Sequence, residues 1–143
     1  MTRLRDIIPD GCTVEGDLDR TVTAIEYDSR HVGPGALFVA VKGEKADGHD
    51  FIGAVHGQGA AAIVYDRQRG DLAALRAAYP GVTWIGTDNP RDVLARLSHR
   101  FYGRPSEKVA VVGITGTNGK TTTSYLLKSV LQQWGKRVGL IGT

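Results

Sequence analysis

The stretch VVGITGTNGKTTT, residues 111 to 123, holds the side chains whose types and spacing best suit chemistry. Within GTNGKTT, Gly116 and Gly119 permit a tight turn against an anion, and a helix starting there would aim its unpaired N–H groups at phosphate oxygens. Lys120 brings an ammonium for β- and γ-phosphate charge, and the Thr121 hydroxyl is a ligand for Mg²⁺. These roles call for a nucleoside triphosphate, so ATP and Mg²⁺ are the expected cofactors. The expected contacts are Gly116, Thr117, Asn118, Gly119, Lys120, Thr121 and Thr122, with Lys120 and Thr121 catalytic and Thr121 on the metal. The match to GxxxxGK[ST] is incomplete, because Ile114 stands where the first glycine belongs, flanked by Gly113 and Gly116. The alternative is a glycine turn that merely joins a strand to a helix.

The elements around the turn favour the phosphate reading. The apolar run VAVVGI (109 to 114) suits a central parallel strand buried on both faces. TTTSYLLKSVLQQWG follows with Leu126, Leu127, Val130, Leu131 and Trp134 at helical spacing and Gly135 as the stop, and KRVGLIGT reads as the next strand. RPSEKV (104 to 109) is the best domain boundary, giving a first domain of residues 1–105 and a second of 106–143. One βαβ unit cannot bury both faces of its own sheet. The second domain is therefore expected to be the opening of a larger one, and its apolar faces to be covered by the rest of its own chain.

Upstream, TVTAIEY (21 to 27), ALFVAV (36 to 41), AAAIVYD (60 to 66) and VTWIG (82 to 86) read as strands. FIGAVHGQ, DLAALRAAYP (71 to 80) and PRDVLARLSHRFYG (90 to 103) read as helices, the last with Val93, Leu94, Leu97 and Phe101 on one stripe. Strands alternating with helices imply an α/β fold.

The totals agree with a globular chain. Its 143 residues are 41% hydrophobic and 23% charged, and no apolar run approaches the ~18 residues of a membrane span. The amino terminus shows no export signal, since Arg5 and Asp6 interrupt its apolar stretch. The single cysteine, Cys12, cannot form an internal disulfide, which fits a reducing cytoplasm. A net charge of +3 without a basic block gives no reason to expect a nucleic acid. His31, His49, His56 and His99 lack metal-ligand spacing and read as surface or hydrogen-bonded histidines, and Trp84 and Trp134 read as core.

GTNGKTTT, preceded by FYGRPSEKVAVVGI and followed by GKRVGLIGT, resembles the start of the ATP-binding domain of the Mur ligases, which build the peptide stem of bacterial peptidoglycan. DSRHVGPGALFVAVKGEKADGHDFIGAVHGQGAAAIVYD is similar to the amino-terminal domain of that family, which holds the UDP end of the precursor. The likeness is nearer to the branch that adds the third amino acid of the stem than to the branch that adds the terminal dipeptide. It implies a UDP-binding α/β domain followed by the first βαβ of a P-loop, Rossmann-like ATPase domain. It also implies an ADP-forming ligase that activates UDP-MurNAc-dipeptide as an acyl phosphate and joins it to an amino acid. Family positions for the nucleotide end fall on Tyr27, Ser29, Glu44, Lys45 and Ala46, although many relatives have a His-Gln pair where Glu44 and Lys45 stand. Read without the resemblance, DSR caps a turn and Glu44 with Lys45 is a solvated pair. The remaining metal carboxylate, a modified lysine and the amino acid pocket lie beyond Thr143 in the family pattern, so these residues alone are expected not to catalyse. DNPR (88 to 91) spells a tetrapeptide that in the family selects meso-diaminopimelate from a later domain; here it reads as a helix start. A P-loop ATPase of another kind, or a nucleotide-binding module without ligase activity, stays open on the residues alone.

Overall fold

The structure, a computed structural model, describes residues 2–69 and 72–142. It separates into two compact units, Met1–Pro105 and Ser106–Thr143.

The first unit runs β1 (Thr2–Arg3), α1 (Leu4–Ile7), β2 (Thr13–Glu15), β3 (Thr21–Val22), β4 (Ile25–Glu26), β5 (Leu37–Val39), α2 (Ile52–Gly57), β6 (Ala62–Asp66), α3 (Ala73–Ala78), β7 (Thr83–Thr87) and α4 (Pro90–Phe101). Five strands form one sheet in the order β2-β7-β6-β5-β4, parallel except for β2, which runs antiparallel along β7. β1 and β3 make a separate antiparallel ribbon.

Side chains alternate across the sheet, and helices cover both faces. Phe38, Ile63, Tyr65 and Trp84 pack on one side with Ile52 and Val55 of α2, joined by Leu72 and Leu75. Leu37, Val39, Ala62, Val64 and Ile85 pack on the other with Leu4 and Ile7 of α1 and Val93 and Leu97 of α4. The parallel strands thus read as continuous apolar runs because neither face meets water.

Three local expectations change here. TVTAIEY is not one strand: at Thr23 the N–H turns to the Gly35 carbonyl and the hydroxyl to the Pro34 carbonyl, so Val22 pairs with Thr2 while Ile25 pairs with Leu37. The helix expected over 71–80 is α3, six residues long, and its anticipated first residue, Asp71, lies outside the described residues. β1, α1 and β2 had no counterpart in the reading of the sequence, since two to four residues are too few to show a period. DNPR is a helix start: the Asn89 side chain accepts the Asp92 N–H and Pro90 opens α4. α4 ends where Gly103 and then Arg104 take positive φ, with the Arg104 N–H donated to the His99 carbonyl.

The second unit holds α5 (Lys120–Gln133), closed at Gly135 by N–H bonds from Gly135 to Gln132 and from Lys136 to Leu131. Its flanks depart from expectation. Neither residues 109–118 nor 136–142 form a strand, and Val111, Val112 and Ile141 are exposed. A strand exists only where a neighbour takes its N–H and C=O groups, and within this unit the two runs form no ladder with each other. Trp134, expected in a core, is 74% exposed for the same reason: among the described residues this unit has no sheet on which the apolar stripe of α5 could be buried.

Candidate nucleotide-binding site

In the second unit the anticipated turn leads directly into a 14-residue helix. Gly119 caps α5 in the left-handed region at φ 75°, and Gly116 sits at φ 153°, conformations that side-chain-bearing residues rarely adopt. No side chain caps the helix, and its first turn carries no acidic residue. By the geometry of any α-helix, the N–H groups of Gly119, Lys120, Thr121 and Thr122 have no partner within α5. The first N–H with one is that of Thr123, donated to the Gly119 carbonyl at 2.9 Å. Lys120 Nζ folds back over the turn, donating to the carbonyl oxygens of Gly116 at 2.6 Å and Thr117 at 3.4 Å. Four backbone donors, positive helix-end potential and a nearby ammonium suit a polyphosphate. The Thr121 hydroxyl stands at the same helix start, while Ser124 Oγ donates back to the Thr121 carbonyl.

The residues expected around the nucleotide lie in the first unit, in two places. Tyr27, 67% exposed, and Ser29 flank Asp28, whose carboxylate accepts the Arg30 N–H and pairs with the Arg30 guanidinium. These hydrogen bonds from Arg30 hold the Asp28 carboxyl well below the usual carboxylate range. Ser29 begins the short 3₁₀ turn that this cap stabilises. Glu44, Lys45 and Ala46 occupy the tight turn after β5, closed by the Gly43 N–H on the Ala46 carbonyl and by an antiparallel bridge between Lys42 and Asp47. All three are exposed.

Asp47 and His49, beside that turn, were not singled out from the sequence as a pair. Asp47 Oδ1 accepts both the His49 N–H and His49 Nδ1, and Oδ2 accepts Arg69 Nη1 at 2.6 Å. Burial alone would raise the Asp47 carboxyl and is the largest single influence; the two His49 hydrogen bonds and the Arg69 charge together carry it down instead. The available signal was spacing, since Asp17, Asp28, Asp47 and Asp66 each accept the N–H two residues on.

A cleft of about 370 Å³ at the β2 edge is lined by Thr13, Glu15, Tyr65, Arg67, Arg69 and Arg76 among others, and includes no expected site residue. Its guanidinium groups are already matched: Arg67 with Asp88, Arg69 with Asp47 and Arg76 with Glu15. Among the described residues no three His, Cys, Asp or Glu side chains cluster as a metal site, and no helix is long and apolar enough to cross a membrane.

A mostly parallel sheet covered on both faces, followed by a glycine turn that opens a helix on a lysine, makes this an α/β protein with a phosphate-loop pattern. It belongs to the Mur ligase family: the model described as Mur ligase family, catalytic domain, matches residues 21–102, and the Mur ligase middle domain matches 114–143. The chain is 41% identical over 143 residues to the UDP-N-acetylmuramoyl-L-alanyl-D-glutamate–2,6-diaminopimelate ligase of Alkaliphilus metalliredigens, covering 99% of this chain and 28% of that protein. It is 49% identical over 130 residues to the ligase of the same name from Chlorobaculum tepidum, covering 90% and 24%. Among solved structures it is similar to MurF from Acinetobacter baumannii (28% identity, TM-score 0.56, 78% of this chain and 22% of that one). It is likewise similar to MurF from Thermotoga maritima in complex with ADP (31%, TM-score 0.53, 80% and 24%). The chain spans about a quarter of the length of these curated relatives.

Proposed function

We propose that these residues serve an ATP-dependent, ADP-forming ligase that adds the third amino acid to UDP-MurNAc-L-Ala-D-Glu in cytoplasmic peptidoglycan synthesis. Residues 1–105 form the domain for the UDP precursor and 106–143 open the ATP-binding domain. The observation that carries the reading is the Lys120 ammonium poised 2.6 Å from the Gly116 carbonyl over a left-handed glycine cap, in a chain whose relatives carry this activity in their names.

ATP with Mg²⁺ supplies the phosphoryl group that activates the precursor carboxylate for attack by an amine. The chain's own part is electrostatic. The N–H groups of Gly119 to Thr122 donate to phosphate oxygens, and Lys120 exchanges its two carbonyl partners for the phosphate negative charge. The Thr121 hydroxyl is the metal ligand, and Gly116, Thr117 and Asn118 wrap the anion. In the first unit, Tyr27 offers an exposed ring for stacking, Ser29 a hydroxyl, and the turn of Glu44, Lys45 and Ala46 backbone groups and one cation for the diphosphate.

Titration calorimetry on the 143-residue chain is expected to show UDP-MurNAc-dipeptide binding and little ATP binding, because most of the ATP-binding domain of the relatives lies outside it. A chimera in which these residues replace the matched segment of the Alkaliphilus ligase should release ADP only when the amino acid is present, with 2,6-diaminopimelate the first to try. Lys120→Ala in that chimera should abolish ATP binding; unchanged affinity would remove the assignment. The solved MurF structures favour a second reading, a dipeptide-adding ligase. It is excluded if the 143-residue chain itself binds the dipeptide precursor in preference to the tripeptide one.

A further inference from the structure

We propose that His49 is a positioning residue for the nucleotide: it fixes the shape of the turn 43–46, and this rests on the reading above that the turn receives the UDP end of the precursor. Glu44, Lys45 and Ala46 are exposed, so the turn takes its shape from its flanks. The leading flank is held by Arg91 of α4, whose Nη2 donates to the Lys42 carbonyl at 2.9 Å. On the trailing flank Gly48 lies against β5's exit, its N–H on the Val41 carbonyl, and an added Cβ would stand 2.7 Å from the Val41 nitrogen.

His49 then ties this flank to the sheet. Its side chain is 2% exposed, and both ring nitrogens are used. Nε2 accepts the Asp66 N–H at 3.0 Å, so the ring proton sits on Nδ1 and is donated to Asp47 Oδ1 at 2.5 Å. The imidazole therefore bridges the residue that closes the turn, Asp47, to the end of the central strand β6. Arg69 Nη1 donates to the other Asp47 oxygen at 2.6 Å. A buried polar ring with each nitrogen matched to one partner holds a single orientation, and a fixed turn spares the ligand the entropy of ordering it.

The test is UDP affinity of the 143-residue chain, by calorimetry, at a temperature where circular dichroism shows each variant folded. His49→Ala is expected to weaken UDP binding about tenfold, the loss associated with one hydrogen bond to a charged group. His49→Gln, whose amide oxygen can take the Asp66 N–H, should recover most of the affinity. Leu97→Ala, a buried truncation on α4, controls for general loosening and should leave UDP affinity unchanged. Unchanged affinity in His49→Ala, or a loss matched by Leu97→Ala, overturns the proposal. If His49→Ala fails to fold, His49→Asn, which reaches only Asp47, must bind UDP more weakly than His49→Gln; equal binding overturns it. Failure of the unsubstituted chain to bind UDP strikes the reading of the turn itself, and is seen before any substitution is made.

Discussion

The two units hold apolar runs of nearly the same character and treat them oppositely. AIVYD becomes β6, at the middle of a sheet, with Ala62, Ile63 and Val64 fully buried. VAVVGI in the second unit forms no strand ladder among the described residues, and Val111 and Val112 are 75% and 63% exposed. Composition does not separate them; neighbours do. β6 has β5 on one edge, β7 on the other and helices on both faces, so its backbone groups and side chains are satisfied together.

This contrast can be broken by mutation, most severely in the sheet. Phe38→Ala should cost about 3–5 kcal/mol in urea unfolding, whereas Val112→Ala should stay within about 0.5 kcal/mol. Fluorescence of Trp84 in a Trp134→Phe background reports the first unit and that of Trp134 in a Trp84→Phe background the second, so each loss can be assigned to its unit. A large loss at Val112 would show that the second unit has a core after all.

The next effect concerns charge. The Asp47 carboxyl titrates lower in the folded chain than in the unfolded one, so its stabilisation is complete above the ordinary carboxylate value of about 4 and is lost as pH falls through the folded value. Asp47→Asn should lower stability at pH 7 by about 1–2 kcal/mol and flatten the decline on the acid side. Urea midpoints between pH 7 and pH 2 test both; an acid limb unaltered by the substitution would sink the assignment. No carboxylate lies in the first turn of α5, so its unfolding has no matching acid-sensitive contact there.

The smallest effect compares helix starts. Asn89→Ala removes the side-chain cap of α4 and should cost about 1 kcal/mol. Lys120→Ala at the start of α5 should leave the urea midpoint of the second unit, read by Trp134, nearly unchanged while removing the ammonium from the turn. Equal losses at both positions would mean that Lys120 is structural.

Much of the molecule was legible in advance because its signals are local. The helix start at Asn89-Pro90, the stop near Gly103, the cap at Gly135 and the glycine turn before Lys120 are each written in a few adjacent residues, and each is formed. The Asp47–His49–Asp66 bridge was not, because the third member lies 17 residues from the second and meets it only when β6 is laid beside β5.

By itself, then, the sequence determined the alternation of apolar runs, the caps and turns, and a helix whose first residue is a lysine behind two glycines. These follow from steric rules and hydrogen bonding within a few residues. Tertiary structure alone decided that β2 joins the sheet antiparallel, that TVTAIEY divides between two sheets, and that one buried imidazole holds a turn from its flank. It also decided which valine runs are strands, because an extended segment becomes one only when another segment, often distant in the chain, accepts its hydrogen bonds and shields its side chains from water.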